Sequence, residues 1–170
     1  MLISISKQNF NKIRDDLARP HPFAFERVGF VFIKPDSKNT INIIDYLSVP
    51  DEFYINNPKV GAEVDHRAIV MAMKRADHNN EGVLQVHEHG GKGIPKFSRV
   101  DIDSHPVYLR SFRNANPRAT HGFLLLSEDS MVARVWKPGS KVSLDTKKFA
   151  ISKGSFFSWL TDLFTKRGNL

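Results

Sequence analysis

VLQVHEHGGKGIPKFSRVDIDSH, residues 83–105, is the stretch from which the rest of the chain is read. A short apolar run ends in His-Glu-His, passes through three glycines and a proline, and opens a new segment at Ser98 that carries Asp101, Asp103 and His105. In a strand, side chains two apart share a face. His87 and His89 therefore point one way while Leu84, Val86 and Glu88 take the other. GGKGIPKF then reads as a loop, and Ser98 as the N-cap of a helix with Asp101 in its first turn, facing back toward the strand end.

Two imidazoles on one strand face converge on a point, which suits a metal ion. Zinc takes neutral imidazole nitrogens, and a hydrolytic zinc site uses three protein ligands plus a water. The chain has no cysteine, so the third ligand is His, Asp or Glu. Asp101 can complete a His, His, Asp set; His105, one turn further on the same side, is the competing ligand or a supporting partner, and Asp103 points away. A plainer reading makes Ser98 and Asp101 only a capping box and the two histidines solvent-facing strand residues. The joint occurrence of H-x-H, a Gly-rich loop and S-x-x-D favours the metal.

A hydrolytic site also needs a base. Glu26, in FAFERVGFVF, falls in the strand row of Val28, Phe30 and Phe32, an odd place for a carboxylate unless the strand begins after it or the face opens on a site. Taken alone, it reads equally as an exposed charge ahead of the strand. Other zinc arrangements are excluded: H-E-x-x-H is absent, the deaminase P-C-x-x-C pair needs cysteine, and a cupin-like site wants a Glu that GGKGIPKF lacks.

Around this stretch the elements alternate. Ser6 caps a helix with Phe10, Ile13 and Leu17 at helical spacing; residues 23–34 and TINIIDYLSVP form a hairpin. VDHRAIVMAMKRADHN is a helix on a sheet, with Val64, Ala68, Met71 and Arg75 along one side, and HGFLLLSE and SMVARVWKP are two further strands. The pattern predicts an α/β domain, two or three layers around a mixed sheet, over residues 1–150. Residues 151–170 read as a C-terminal amphipathic helix docked on it, with Phe156, Phe157, Leu160, Leu163 and Phe164 at helical spacing, the alternative being a membrane-surface or partner-binding segment.

Composition sets wider bounds. With 41% apolar residues and 13 Phe the 170-residue chain is globular. Its 25 basic against 18 acidic residues give +7, attractive to nucleic acid, anionic membrane or acidic protein, but no basic run exceeds two residues, which argues against a nucleic-acid arm. The opening MLISISKQNFNKIRDD lacks a signal-peptide pattern and no apolar run approaches a membrane span, so a soluble cytoplasmic protein is expected.

FERVGF followed by VHEHGGKGIPKFSRVD resembles the JAMM motif of the JAB/MPN metallopeptidases: a Glu in an E-x-x-G setting, then H-x-H, a spacer and S-x-x-D. The resemblance covers about two thirds of the chain. It implies a single-domain MPN/JAB-like fold, a curved mixed sheet flanked by helices, with one Zn2+ held by His87, His89 and Asp101. Glu26 would be the general base and acid, and Ser98 would help hold the water or the oxyanion. The implied activity is hydrolysis of the peptide or isopeptide bond after the C-terminus of ubiquitin or a ubiquitin-like protein. Partners would be that modifier, its conjugates, and activating and conjugating (E1- and E2-like) enzymes, as in bacterial antiviral pathways. The spacer is one residue longer than is usual in that family, and Gly90 stands where a Pro commonly follows the second His. The alternatives from other classes are a metal-free MPN-like scaffold that binds protein partners and a basic nucleic-acid-binding domain.

Overall fold

The computed structural model describes residues 1–37 and 39–152. Among them, strands β1 (Leu2–Ser6), β2 (Val28–Ser37), β3 (Thr40–Ser48), β4 (Gly82–Glu88), β5 (His121–Leu126), β6 (Met131–Trp136), β7 (Leu144–Thr146) and β8 (Phe149–Ser152) form one mixed sheet in the order β7-β6-β5-β4-β2-β3-β1-β8. Helices α1 (Lys7–Leu17), α2 (His66–Asn79) and α3 (Arg99–Ala115) cover it. Pairing is antiparallel except at β1–β3, β1–β8 and β4–β5.

The two edge strands are consecutive in the chain, so the sheet curls until its edges nearly meet. Thr146 Oγ1 donates to Met1 O at 2.7 Å, and Ile3 N to Lys148 O at 2.9 Å. Such closure leaves short edges and little backbone unpaired. β1, β7 and β8 carry too few residues to stand out in the sequence; the alternation of Ile3 and Ile5, both buried, is the one local signal of β1.

Period-two alternation divides the core between the two faces. One face sends Val31, Ile33, Leu84, Val86, Leu124 and Leu126 against α1, whose Ile13 and Leu17 are buried there. The other sends Val28, Phe30, Phe32 and Val83 against α2 and α3. Full burial of side chains such as Phe30, Phe32 and Phe112 contributes ~1.5–3 kcal/mol each. On α2 the buried stripe is Ala68, Ala72 and Ala76, not the predicted row through Met71 and Arg75. Small side chains let the helix approach the sheet, while Arg75 turns to Asp45 and Glu81 at 2.7 and 3.3 Å.

β2 begins at Val28 rather than near residue 23 as predicted. The preceding N–H groups are used elsewhere: Phe23 and Ala24 donate to His21 Nδ1, and Phe25 and Glu26 to Gly61 O. Glu26 therefore precedes the strand row in which it was placed. Ile151 and Ser152 belong to β8, so the first positions of the predicted 151–170 helix are strand; its other residues, the apolar row included, lie outside the described residues. Among the described residues, no helix is long and apolar enough to cross a membrane.

Candidate metal centre

His87 occupies β4 between Val28 of β2 and Leu125 of β5 and is 2% exposed. His89 lies just past the strand end, with its N–H on Leu126 O at 2.9 Å, so the ladder continues far enough to keep both rings on one face. Their Nε2 atoms are 3.2 Å apart. At that distance the two lone pairs need either a proton between them or a shared cation.

Asp101 is delivered by a capping box at the start of α3. Ser98 Oγ accepts from Asp101 N at 3.1 Å, and Asp101 Oδ2 accepts from Ser98 N at 2.6 Å. The box does not compete with the metal reading: it fixes the carboxylate where Oδ1 lies 3.2 Å from His87 Nε2 and Oδ2 lies 3.5 Å from His89 Nε2. Burial alone would raise the Asp101 pKa, but the hydrogen bond and charge of His87 and the bonds from Ser98 outweigh it, holding the carboxyl well below the usual range.

Glu26 approaches from the other side, Oε1 lying 3.8 Å from His89 Nε2. Two sets of possible ligands thus share the histidine pair: Glu26, His87 and His89, whose ligand atoms all lie within 4.8 Å of one another, and His87, His89 and Asp101. Ligand atoms at ~2.0–2.1 Å from a tetrahedral ion are ~3.3 Å apart. The two Nε2 atoms are 3.2 Å apart, and each takes a different oxygen of Asp101, Oδ1 at 3.2 Å from His87 and Oδ2 at 3.5 Å from His89, each pair close to that spacing. In the Glu26 set the carboxylate stands slightly further off, Oε1 being 3.8 Å from His89 Nε2.

These residues line a cleft of about 760 Å³ whose far wall is the strap at residues 58–64 and whose α3 side includes Ser98, Val100, Val107 and Tyr108. Burial pushes the Tyr108 phenol up to about 12, with the charge of Glu63 acting in the same direction. Neither the strap nor Tyr108 was legible in the sequence, since no motif or periodicity ties residues 58–64 to the histidine pair.

His105, the competing ligand, is not brought to the pair. It is 5% exposed, stacked on Phe123 at 3.7 Å between centroids and edge-on to Phe97 and Trp136. Burial, helped by the charge of Arg134, lowers its pKa to about 4, so it is a neutral core ring. Asp103 faces solvent beside Arg99.

The spacer loop is pinned to the turn after β5. Gly93 N donates to Asp129 Oδ1 at 2.6 Å, Ser127 Oγ to Gly93 O at 2.6 Å, and Glu128 N to Gly91 O at 2.9 Å. Gly91 and Gly93 have φ of 92° and 86°, which only glycine adopts without strain. The eight-residue spacer is thus a pinned loop that leads to the Ser98 cap.

No family model matches the chain, and no curated protein matches it. Among solved structures it is similar to the solution structure of protein DSY2949 from Desulfitobacterium hafniense, at 10% identity and a TM-score of 0.53, covering 91% of this chain and 96% of that one. At that identity the likeness is one of fold alone.

Proposed function

We propose that the chain is a zinc metallopeptidase of the JAB/MPN type, an isopeptidase acting after the C-terminus of ubiquitin or a ubiquitin-like protein. The observation that carries this reading is the convergence of His87 Nε2, His89 Nε2 and the Asp101 carboxylate at 3.2–3.5 Å, with the Glu26 carboxylate 3.8 Å from His89. The JAMM-like spacing of the same residues supplies the substrate class.

Zinc at this site would acidify a water and polarise the scissile carbonyl. His87 and His89 would hold it through Nε2, and the capping box keeps Asp101 aimed with them. Glu26, not committed to that set, would take the proton of the attacking water and pass it to the leaving amine. Ser98 Oγ already accepts the Asp101 N–H, which uses a lone pair and leaves the hydroxyl proton free to donate to the oxyanion.

The test is elemental analysis joined to turnover of a ubiquitin-like fusion. Purified protein should carry close to one zinc per chain and cleave the fusion, and a His87→Ala, His89→Ala double variant should lose both. A metal-free wild type, after growth in zinc, would sink the reading and leave the metal-free scaffold in its place.

A further inference from the structure

The sheet does not aim Glu26. β2 begins two residues later, and the N–H groups of Phe25 and Glu26 both donate to one acceptor, Gly61 O, at 2.8 and 3.0 Å. Gly61 belongs to a strap closed at its base by the Tyr54–Val64 bridge and by Ile55 N on Glu63 O at 2.8 Å. Asn57 Nδ2 braces it through Glu63 Oε2 at 2.5 Å. A Cβ at Gly61 would lie 2.6 Å from both Cδ and Oε2 of Glu26 and 3.1 Å from Oε1. Gly61 is not among the positive-φ glycines, so backbone conformation does not demand glycine here; the volume of the carboxylate does.

We propose that Gly61 is a positioning residue: its carbonyl fixes the Phe25–Glu26 backbone, and its missing Cβ is the slot that seats the Glu26 carboxylate toward His89. The inference rests on the reading of Glu26 as the base and adds the element that places it. The atoms a Cβ would meet are the far end of a flexible side chain, so the fold yields cheaply and the carboxylate is what moves.

Gly61→Ala in the full chain separates placement from structure. The expected result is an unchanged melting temperature, zinc at the wild-type level and a displaced ¹³C resonance of the Glu26 carboxyl. The kcat on a ubiquitin-like fusion falls roughly ten- to hundred-fold at constant KM. Adding Gly61→Ala to Glu26→Ala causes no further loss. An unmoved Glu26 resonance, a kcat loss that adds in full to that of Glu26→Ala, or a collapse in melting temperature with loss of zinc overturns the proposal. If the wild type neither holds zinc nor cleaves the fusion, the metallopeptidase reading fails by itself, and the Glu26 resonance still decides whether Gly61 sets its place.

Discussion

Asp101 Oδ1 lies 3.2 Å from His87 Nε2 while Oδ2 of the same carboxylate accepts the N–H of Ser98 at 2.6 Å. One side chain thus joins the start of α3 to the end of β4, and a local helix cap becomes part of a site built from distant elements. Removing it should have two separable effects.

Asp101→Ala is expected to abolish zinc retention and to lower stability, the cap contribution alone being ~1 kcal/mol. Ser98→Ala should cost a similar ~1 kcal/mol by denaturant titration yet keep the metal, because the carboxylate remains. If Ser98→Ala also strips the zinc, the box is indispensable to Asp101's aim.

Glu26→Gln should leave zinc content at the wild-type level, since Glu26 lies outside the closely spaced set, and should reduce kcat by about 10²–10⁴-fold, the usual contribution of a positioned acid-base group. Metal analysis and single-turnover cleavage check it together. Loss of zinc in this variant would move Glu26 into the ligand set.

His105 gives a pH signature set chiefly by its burial. Its folded-state pKa of about 4 is below its unfolded value of 6.5, so as pH falls through that window the unfolded chain binds a proton that the buried ring refuses. Stability should be full above about 6.5 and fall by up to ~3 kcal/mol by pH 4, flattening below. Denaturant melts at stepped pH on wild type and His105→Phe test this; the variant, which keeps the stacking on Phe123, should lack that part of the slope.

Asp129→Ala should release the spacer loop with little global cost. The Gly93 N–H that Asp129 accepts at 2.6 Å is exposed, so the unfolding free energy from denaturant titration should fall by less than ~1 kcal/mol. Amide exchange at Gly93 should instead accelerate strongly. Unchanged exchange there would mean that Ser127 and Glu128 hold the loop without Asp129.

The sequence by itself determined the elements whose pattern is local. Apolar periodicity placed α1, the β2–β3 hairpin, α2, β4 and the last two long strands, and the period of two put His87 and His89 on one face. The S-x-x-D spacing located the cap because a capping box is a relation between neighbours in the chain. Where β2 starts was decided elsewhere, since the N–H groups of Phe25 and Glu26 find their acceptor on Gly61 and not on a neighbouring strand. His105 sat at the right helical spacing to be a ligand, but Phe97, Phe123 and Trp136, each from a different part of the chain, drew it into the core. The curl that brings the edge strands β7 and β8 close to each other, and the strap that seats Glu26, rest on long-range contacts, which no window of sequence contains because each partner is ordinary until the fold sets it beside the other.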